Sequence, residues 1–193
     1  MERIPPAALL ELRARTWARL VRAAFLRGDF TLSSGRRSTY YIDKYRFETE
    51  PHLLRDIARL LAQALPPEVN RLVGPALGGV PLATALALET GIPFAIVRTE
   101  AKDHGTGRTV EGRLDAGDRA VVLEDVVTTG GQALRAARVA ESAGARVPLI
   151  LAVVDRHEGG RKGIEDAGYR FEVLFDLAEW PTDGGRRPAG KRA

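Results

Sequence analysis

The sequence predicts an α/β protein with a central, mostly parallel sheet flanked by helices and a small N-terminal hood of helix and strand. Three observations carry this. From residue 69 onward, short unbroken apolar runs alternate with helical stretches, the pattern of strands buried on both faces and joined by crossover helices. Two of the strand-to-helix transitions, within 73–87 and 120–137, are rich in glycine, and right-handed crossovers bring such loops to one edge of the sheet, where ligands bind. A length of 193 residues is that of one domain able to bury roughly 70% of its unfolded surface.

The elements follow in order. Pro5 and Pro6 can open a helix whose buried stripe is Leu9, Leu10, Leu12, Trp17, Leu20, Val21 and Phe25, released by Gly28. Residues 30–47 mix glycine, aromatics and cations and predict short strands joined by a turn at Ser34 and Gly35. Residues 51–65 return to helical spacing and are closed by Pro66 and Pro67. Strands are then predicted at 71–73, 94–97, 120–123 and 147–154, with helices over 81–90 and 131–142. Residues 99–112 hold almost no apolar anchor and three glycines, and predict an exposed loop with mobility of its own. The last ordered pieces are a strand at 171–175 and a short turn or helix through Trp180, where Trp180, like Trp17, serves packing. The expected organisation is a single domain over 1–183, its hood at about 1–48, followed by a flexible basic tail at 184–193.

Composition removes several classes of chemistry. Cysteine is absent, which excludes thiol nucleophiles, disulfides and thiolate metal sites. The three histidines, His52, His104 and His157, are too few for a histidine-rich metal centre. The 29 Lys and Arg exceed the 25 Asp and Glu by four, and Arg186, Arg187, Lys191 and Arg192 of the tail account for all four. The remaining body is formally neutral, so no basic nucleic-acid footprint is expected. The charged N-terminus lacks the apolar core of a signal peptide, no run approaches the length of a membrane span, and a cytoplasmic location is expected.

Chemistry concentrates in residues 120–137. An apolar strand ends at Glu124 and Asp125, and a turn through Val126 and Val127 leads to a helix headed by Thr128, Thr129, Gly130 and Gly131. Exposed N–H groups, two hydroxyls and close-approach glycines make a phosphate cradle at a helix start. Carboxylates repel phosphate, so the acid pair needs another task, either accepting sugar hydroxyls or holding a hydrated Mg²⁺. A sugar phosphate satisfies both halves. The bland alternative is a helix cap and tight turn, which requires neither an acid pair nor a double glycine. The G-x-x-x-x-G-K-[ST] loop does not occur, and Gly105 and Gly107 follow no strand, so nucleotide-loop NTPases and dinucleotide dehydrogenases lack their motif.

Glycines 74, 78 and 79 offer a second cradle, which alone reads equally well as close helix–sheet packing. Two cradles in one sheet imply a ligand with phosphates at both ends. Arg98, Lys102, His104 and Arg108 on the 99–112 loop can close over such a ligand or stand as scattered surface charge. Arg36, Arg37, Tyr40, Tyr41 and Lys44 suit a planar anionic ring or an aromatic packing cluster. Arg156 follows the 147–154 strand at the same edge.

These motifs resemble one family. VVLEDVVTTGG, residues 121–131, is similar to the phosphoribosyl diphosphate motif of type I phosphoribosyltransferases, and FTLSSGRRSTYY (30–41), EAKDHGTG (100–107) and VVDRHEGG (153–160) narrow the resemblance to the orotate phosphoribosyltransferases. The resemblance spans most of residues 25–160. It implies the type I phosphoribosyltransferase fold and the Mg²⁺-dependent reaction of orotate with 5-phospho-α-D-ribose 1-diphosphate, giving orotidine 5-phosphate and diphosphate in pyrimidine (UMP) biosynthesis.

Residue by residue, the resemblance implies that Glu124 and Asp125 meet the ribose hydroxyls. Val126, Val127, Thr128, Thr129, Gly130, Gly131 and Gln132 would form the 5-phosphate loop, and Ala76, Leu77, Gly78 and Gly79 the diphosphate loop, a place where the family can hold a cis peptide. Arg98, Lys102 and His104 would serve diphosphate, the last two in a neighbouring subunit's site, so a homodimer is implied. Tyr40, Tyr41, Thr128 and Arg156 would bind orotate, and Lys102, His104 and Asp125 would be catalytic. No direct protein ligand for Mg²⁺ is implied; the ion would sit on diphosphate, ribose hydroxyls and water near the acid pair. Nucleic acid and membrane are not expected partners.

Ser33, Gly78 and Thr99 stand where the family often has lysine, which implies weaker diphosphate affinity or compensation by Lys44 and Arg108. The alternatives are a purine or uracil phosphoribosyltransferase, sharing the phosphate motif, and a ligand-binding regulator. A regulator would leave Lys102 and His104 superfluous, and the chain shows no helix-turn-helix segment.

Overall fold

A computed structural model describes residues 3–31, 35, 37–98 and 109–179. Pro6 opens helix α1 (Pro6–Ala24), which buries Leu12, Thr16, Leu20 and Ala24. The helix stops earlier than its sequence spacing predicts. Phe25 is extended and starts β1 (Phe25–Thr31), which pairs antiparallel with β2 (Arg37–Ile42) through a register irregularity between Arg27 and Phe30. Ladder hydrogen bonds with β2 outcompete a further helical turn here. The two strands expected within 30–47 are thus shifted toward the N-terminus. Gly35 adopts a left-handed φ of 77°, as its predicted turn requires, while Ser34 lies outside the described residues.

A short helix, α2 (Lys44–Glu48), follows where the sequence predicts strand. Phe47, fully buried, pins it to the core and contributes about 1.5–3 kcal/mol by leaving water. Helix α3 (Pro51–Ala64) begins with Pro51 and is capped by Glu50, whose carboxylate accepts from the N–H groups of His52 at 3.4 Å and Leu53 at 2.5 Å.

The main sheet contains β3 (Arg71–Pro75), β4 (Phe94–Val97), β5 (Val110–Gly112), β6 (Arg119–Val127), β7 (Arg146–Asp155) and β8 (Phe171–Asp176), in the order β5-β4-β3-β6-β7-β8. All neighbours are parallel except the edge strand β5. The expected α/β fold is therefore present, and part of the 99–112 segment supplies an antiparallel strand that its composition did not predict. Helices α4 (Gly79–Thr90), α5 (Gly131–Ser142) and α6 (Gly160–Asp166) complete the fold, and a 3₁₀ turn at Leu177–Glu179 follows β8. Trp180 and the 184–193 tail lie outside the described residues.

Strand period explains why the apolar runs are unbroken. Val121, Leu123, Leu149, Leu151 and Val153 face one core with Leu53, Ile57 and Leu61 of α3, whereas Ala120, Val122, Ile150 and Ala152 face a second core with Ala133, Ala136, Ala137 and Ala140 of α5. Trp17 of α1 stacks on Phe175 of β8 at 4.9 Å, which fastens the N-terminal helix to the sheet and bears out its packing role. Among the described residues, no helix is long and apolar enough to cross a membrane.

Candidate active site

The carboxyl edge of the sheet opens into a cleft of about 320 Å³ lined by Glu124 to Ala133 together with Tyr41, Ile42, Lys44 and Arg156. A larger groove of about 480 Å³ lies between α1 and the start of α3, but it contains none of the sequence-predicted site residues.

The acid pair sits inside β6, a correction to its expected place beyond the strand end. Pairing with β3 stops at Val122, but β7 carries β6 on through Val126 opposite Val154 and Val127 opposite Asp155. Both acids are consequently buried, Glu124 at 4% exposure and Asp125 at 1%. Asp125 Oδ2 accepts from Lys44 Nζ at 2.7 Å, and its Oδ1 accepts from the Val126 N–H at 2.5 Å. Burial first, and the neighbouring Asp125 charge second, push the Glu124 carboxyl well above the usual carboxylate range. Its Oε2 has no hydrogen-bond partner among the described residues.

Glu48 escaped the sequence-predicted site, and the contact of Lys44 with Asp125 was not foreseen. Glu48, buried at 3% exposure, is pushed up to about 8 by burial and then by Asp125, with Lys44 pulling the other way. Burial opposes the Lys44 ammonium, yet the Asp125 carboxylate outweighs it and holds Lys44 above its ordinary value. Lys44 and Glu48 lie four residues apart, a same-face helical spacing, but that signal is hidden when 44–48 is read as strand.

After Val127, Thr128 and Thr129 turn into α5 through Gly130, whose φ of 78° suits glycine. A Cβ at Gly130 would lie 3.0 Å from Ile164 Cγ1 and 3.1 Å from the Gly160 carbonyl oxygen, so α6 closes the back of the loop. The Gly160 N–H donates to the Thr128 carbonyl at 2.9 Å. The front presents exposed Thr129 and Gly131, half-buried Thr128, and the first N–H groups of α5, an anion cradle. Gln132 sends its carboxamide across to the Ala76 carbonyl at 3.4 Å, linking this loop to the second glycine-rich one.

That second loop, Ala76 to Gly79, contains a cis Ala76–Leu77 peptide, in the place the sequence resemblance anticipates one. Leu77 is 64% exposed, and Gly78 packs directly on the Asp125 carboxylate.

The two tyrosines separate because successive β residues face opposite ways. Tyr41 is exposed at the cleft, whereas Tyr40 stacks on Phe25 at 5.3 Å. The Arg156 guanidinium lies 5.4 Å from the Tyr40 ring centre and pairs with Glu158 at 3.1 Å. Tyr40 therefore supports the arginine. Arg98 directly follows β4 and pairs with Glu111 of β5 at 3.3 Å, outside the cleft lining. Ser33, Arg36, Thr99, Lys102, His104 and Arg108 lie outside the described residues.

Comparison with known proteins agrees with this fold. The family described as "Phosphoribosyl transferase domain" matches residues 46–182. The orotate phosphoribosyltransferase of Pyrococcus furiosus is 49% identical over 155 residues, covering 79% of this chain and 85% of that protein. Among solved structures, the Mycobacterium tuberculosis H37Rv orotate phosphoribosyltransferase in complex with 5-phospho-α-D-ribosyl 1-diphosphate aligns with a TM-score of 0.75 and 32% identity, covering 86% of this chain and 97% of that one. The Aeropyrum pernix orotate phosphoribosyltransferase aligns with a TM-score of 0.70 and 33% identity, over 86% and 95% of the respective chains. With the family model matching most of the chain and a relative 49% identical over 79% of it, the chain belongs to the orotate phosphoribosyltransferase family.

Proposed function

We propose that this enzyme transfers the 5-phosphoribosyl group of phosphoribosyl diphosphate to N1 of orotate, releasing diphosphate and forming the nucleotide of de novo pyrimidine biosynthesis. The carrying observation is the order of groups along the cleft. A phosphate cradle at Thr128 to Gln132 adjoins the buried acids Glu124 and Asp125, with Arg156 and Tyr41 in the same wall.

In this reading the 5-phosphate takes the N–H groups and hydroxyls of Thr128 to Gln132, and the acid pair accepts the ribose hydroxyls. The sugar is thereby held between its two bond-changing partners. The orotate carboxylate takes Arg156, and the ring lies beside Tyr41. The N1–C1 bond forms as the C1–oxygen bond to diphosphate breaks, and both electrons of the broken bond leave with diphosphate. Orotate reacts as its dianion, N1 having already given its proton to solvent, so no protein nucleophile is required. Alignment and preorganised charge supply the acceleration.

The residues present fit Mg²⁺. Glu124 offers a buried carboxyl oxygen without a partner beside Asp125, and Mg²⁺ typically uses one or two carboxylates while keeping water and phosphate oxygens. Glu124 and Asp125 would hold it through water and ribose hydroxyls, and the bound ion would neutralise diphosphate charge. Lys102 and His104 would reach diphosphate from the partner subunit of a homodimer, a reading that rests on the sequence motif alone.

Loss of orotate absorbance with Mg²⁺ and phosphoribosyl diphosphate tests the reaction. Orotate is expected to be consumed, with adenine, guanine and uracil inert. Turnover of one of those bases with no loss of orotate would reassign the base pocket.

A further inference from the structure

Helix α2 places one cation at the meeting point of the two glycine-rich loops. Lys44 Nζ stands 2.7 Å from Asp125 Oδ2. A Cβ built on Gly78 would collide with that same oxygen and lie 2.9 Å from Nζ. The Ala76 to Gly79 loop thus has no room for a side chain at this point, and charge beside it has to come from elsewhere. The Lys44 side chain remains 28% exposed at the cleft, while the Asp125 side chain beneath it is buried.

The other sequence-predicted site cations among the described residues, Arg156 and Arg98, are engaged with carboxylates of their own. Arg156 lines the cleft but is paired with Glu158 and lies over Tyr40. Arg98 is tied to Glu111. An ammonium carries three donors on a flexible stem, and its Asp125 contact uses one of them. A diphosphate arriving beside Gly78 and Gly79 brings more negative charge than one carboxylate offers.

We infer that Lys44 is the diphosphate-binding cation of this subsite, resting on Asp125 when the cleft is empty and turning to diphosphate oxygens when the donor binds. Its departure opens Asp125 Oδ2 to a ribose hydroxyl. The same ammonium therefore guards the sugar site and then serves the leaving group. This inference rests on the phosphoribosyl-transfer reading.

Calorimetric binding of inorganic diphosphate and of ribose 5-phosphate, each at fixed Mg²⁺, separates this role from a structural one. Lys44→Met keeps much of the stem and removes the charge. Diphosphate affinity is expected to fall about tenfold or more, while ribose 5-phosphate affinity holds or rises, and Lys44→Arg should restore most of the diphosphate affinity. Unchanged diphosphate binding in Lys44→Met overturns the inference. Equal loss of both ligands also overturns it and makes Lys44 a positioning partner of Asp125. Lys44→Gln supplies the same comparison if the methionine variant does not fold. Orotate turnover by the parent protein is scored separately: no turnover together with the split in ligand binding overturns the transfer reaction and leaves Lys44 in the subsite.

Discussion

Arg156 and Glu158 pair at 3.1 Å with side chains only 7% and 13% exposed, so the arginine at the end of β7 is held in the cleft wall before any ligand arrives. Tyr40 beneath it adds a ring face at 5.4 Å. A guanidinium fixed in this way loses little freedom on meeting a planar carboxylate.

Replacing Arg156 with Ala should therefore weaken orotate binding about tenfold to a hundredfold, the scale of one charge-assisted contact, and leave phosphoribosyl diphosphate binding within about twofold. Calorimetry with each ligand checks this. Equal losses would indicate disruption of the whole cleft and would remove Arg156 from base recognition.

Lys102→Ala should lower kcat about 10²-fold or more, as loss of a preorganised charge-stabilising donor does, with dimerisation intact. Asp125→Asn should reduce kcat/KM strongly while the protein stays folded. With Lys102 serving the partner's site as proposed, mixed heterodimers of the two should regain partial activity, because both lesions would then fall in one active site and leave the other complete. Verified heterodimers without activity would return Lys102 to its own subunit's site.

Gly130→Ala should destabilise the fold and the phosphate loop together. Its φ of 78° is unfavourable for alanine, and the added Cβ would meet Ile164 and Gly160 at 3.0–3.1 Å. The conformational penalty alone is about 1–2 kcal/mol, which should appear as a lowered Tm. A variant as stable as the parent, with the same inorganic phosphate affinity, would contradict the tight seating of this loop on α6.

Asp118 supplies a pH-dependent contribution away from the cleft. Burial opposes its carboxylate, but the Asp115 N–H and Arg71, each at 2.9 Å, outweigh burial and hold Asp118 below its ordinary value. The contribution is therefore fully present above the unfolded pKa of about 4 and disappears as pH falls through the lower folded value. Asp118→Asn should cost about 1–3 kcal/mol near neutrality, and denaturant melts of the two proteins should converge once pH falls below the lowered folded value of Asp118. A stability difference that persists there would exclude the charged pair as its source.

Local order made much of this molecule legible. Apolar runs at 71–73, 94–97, 120–123 and 147–154 appear as β3, β4, β6 and β7, because strands covered on both faces need no polar alternation. The acid pair and double glycine of 124–131 were legible for a related reason: strand end, turn and helix start are consecutive in the chain, so the cradle is a local object.

Tertiary structure decided what depends on distant segments. Residues 44–48 form a helix because Phe47 finds the core, and only then does Lys44 meet Asp125, 81 positions away in the chain. The strand partner β7 draws the acids into β6, and burial then raises Glu124 and Glu48. Tyr40 and Tyr41 look alike in sequence, but the hairpin turns one onto Phe25 and the other to the cleft. Sequence alone determined which chemical groups are available and the loops that gather neighbours. Long-range packing decided which groups share a charge environment, because desolvation and pairing are properties of surroundings assembled from segments far apart in the chain.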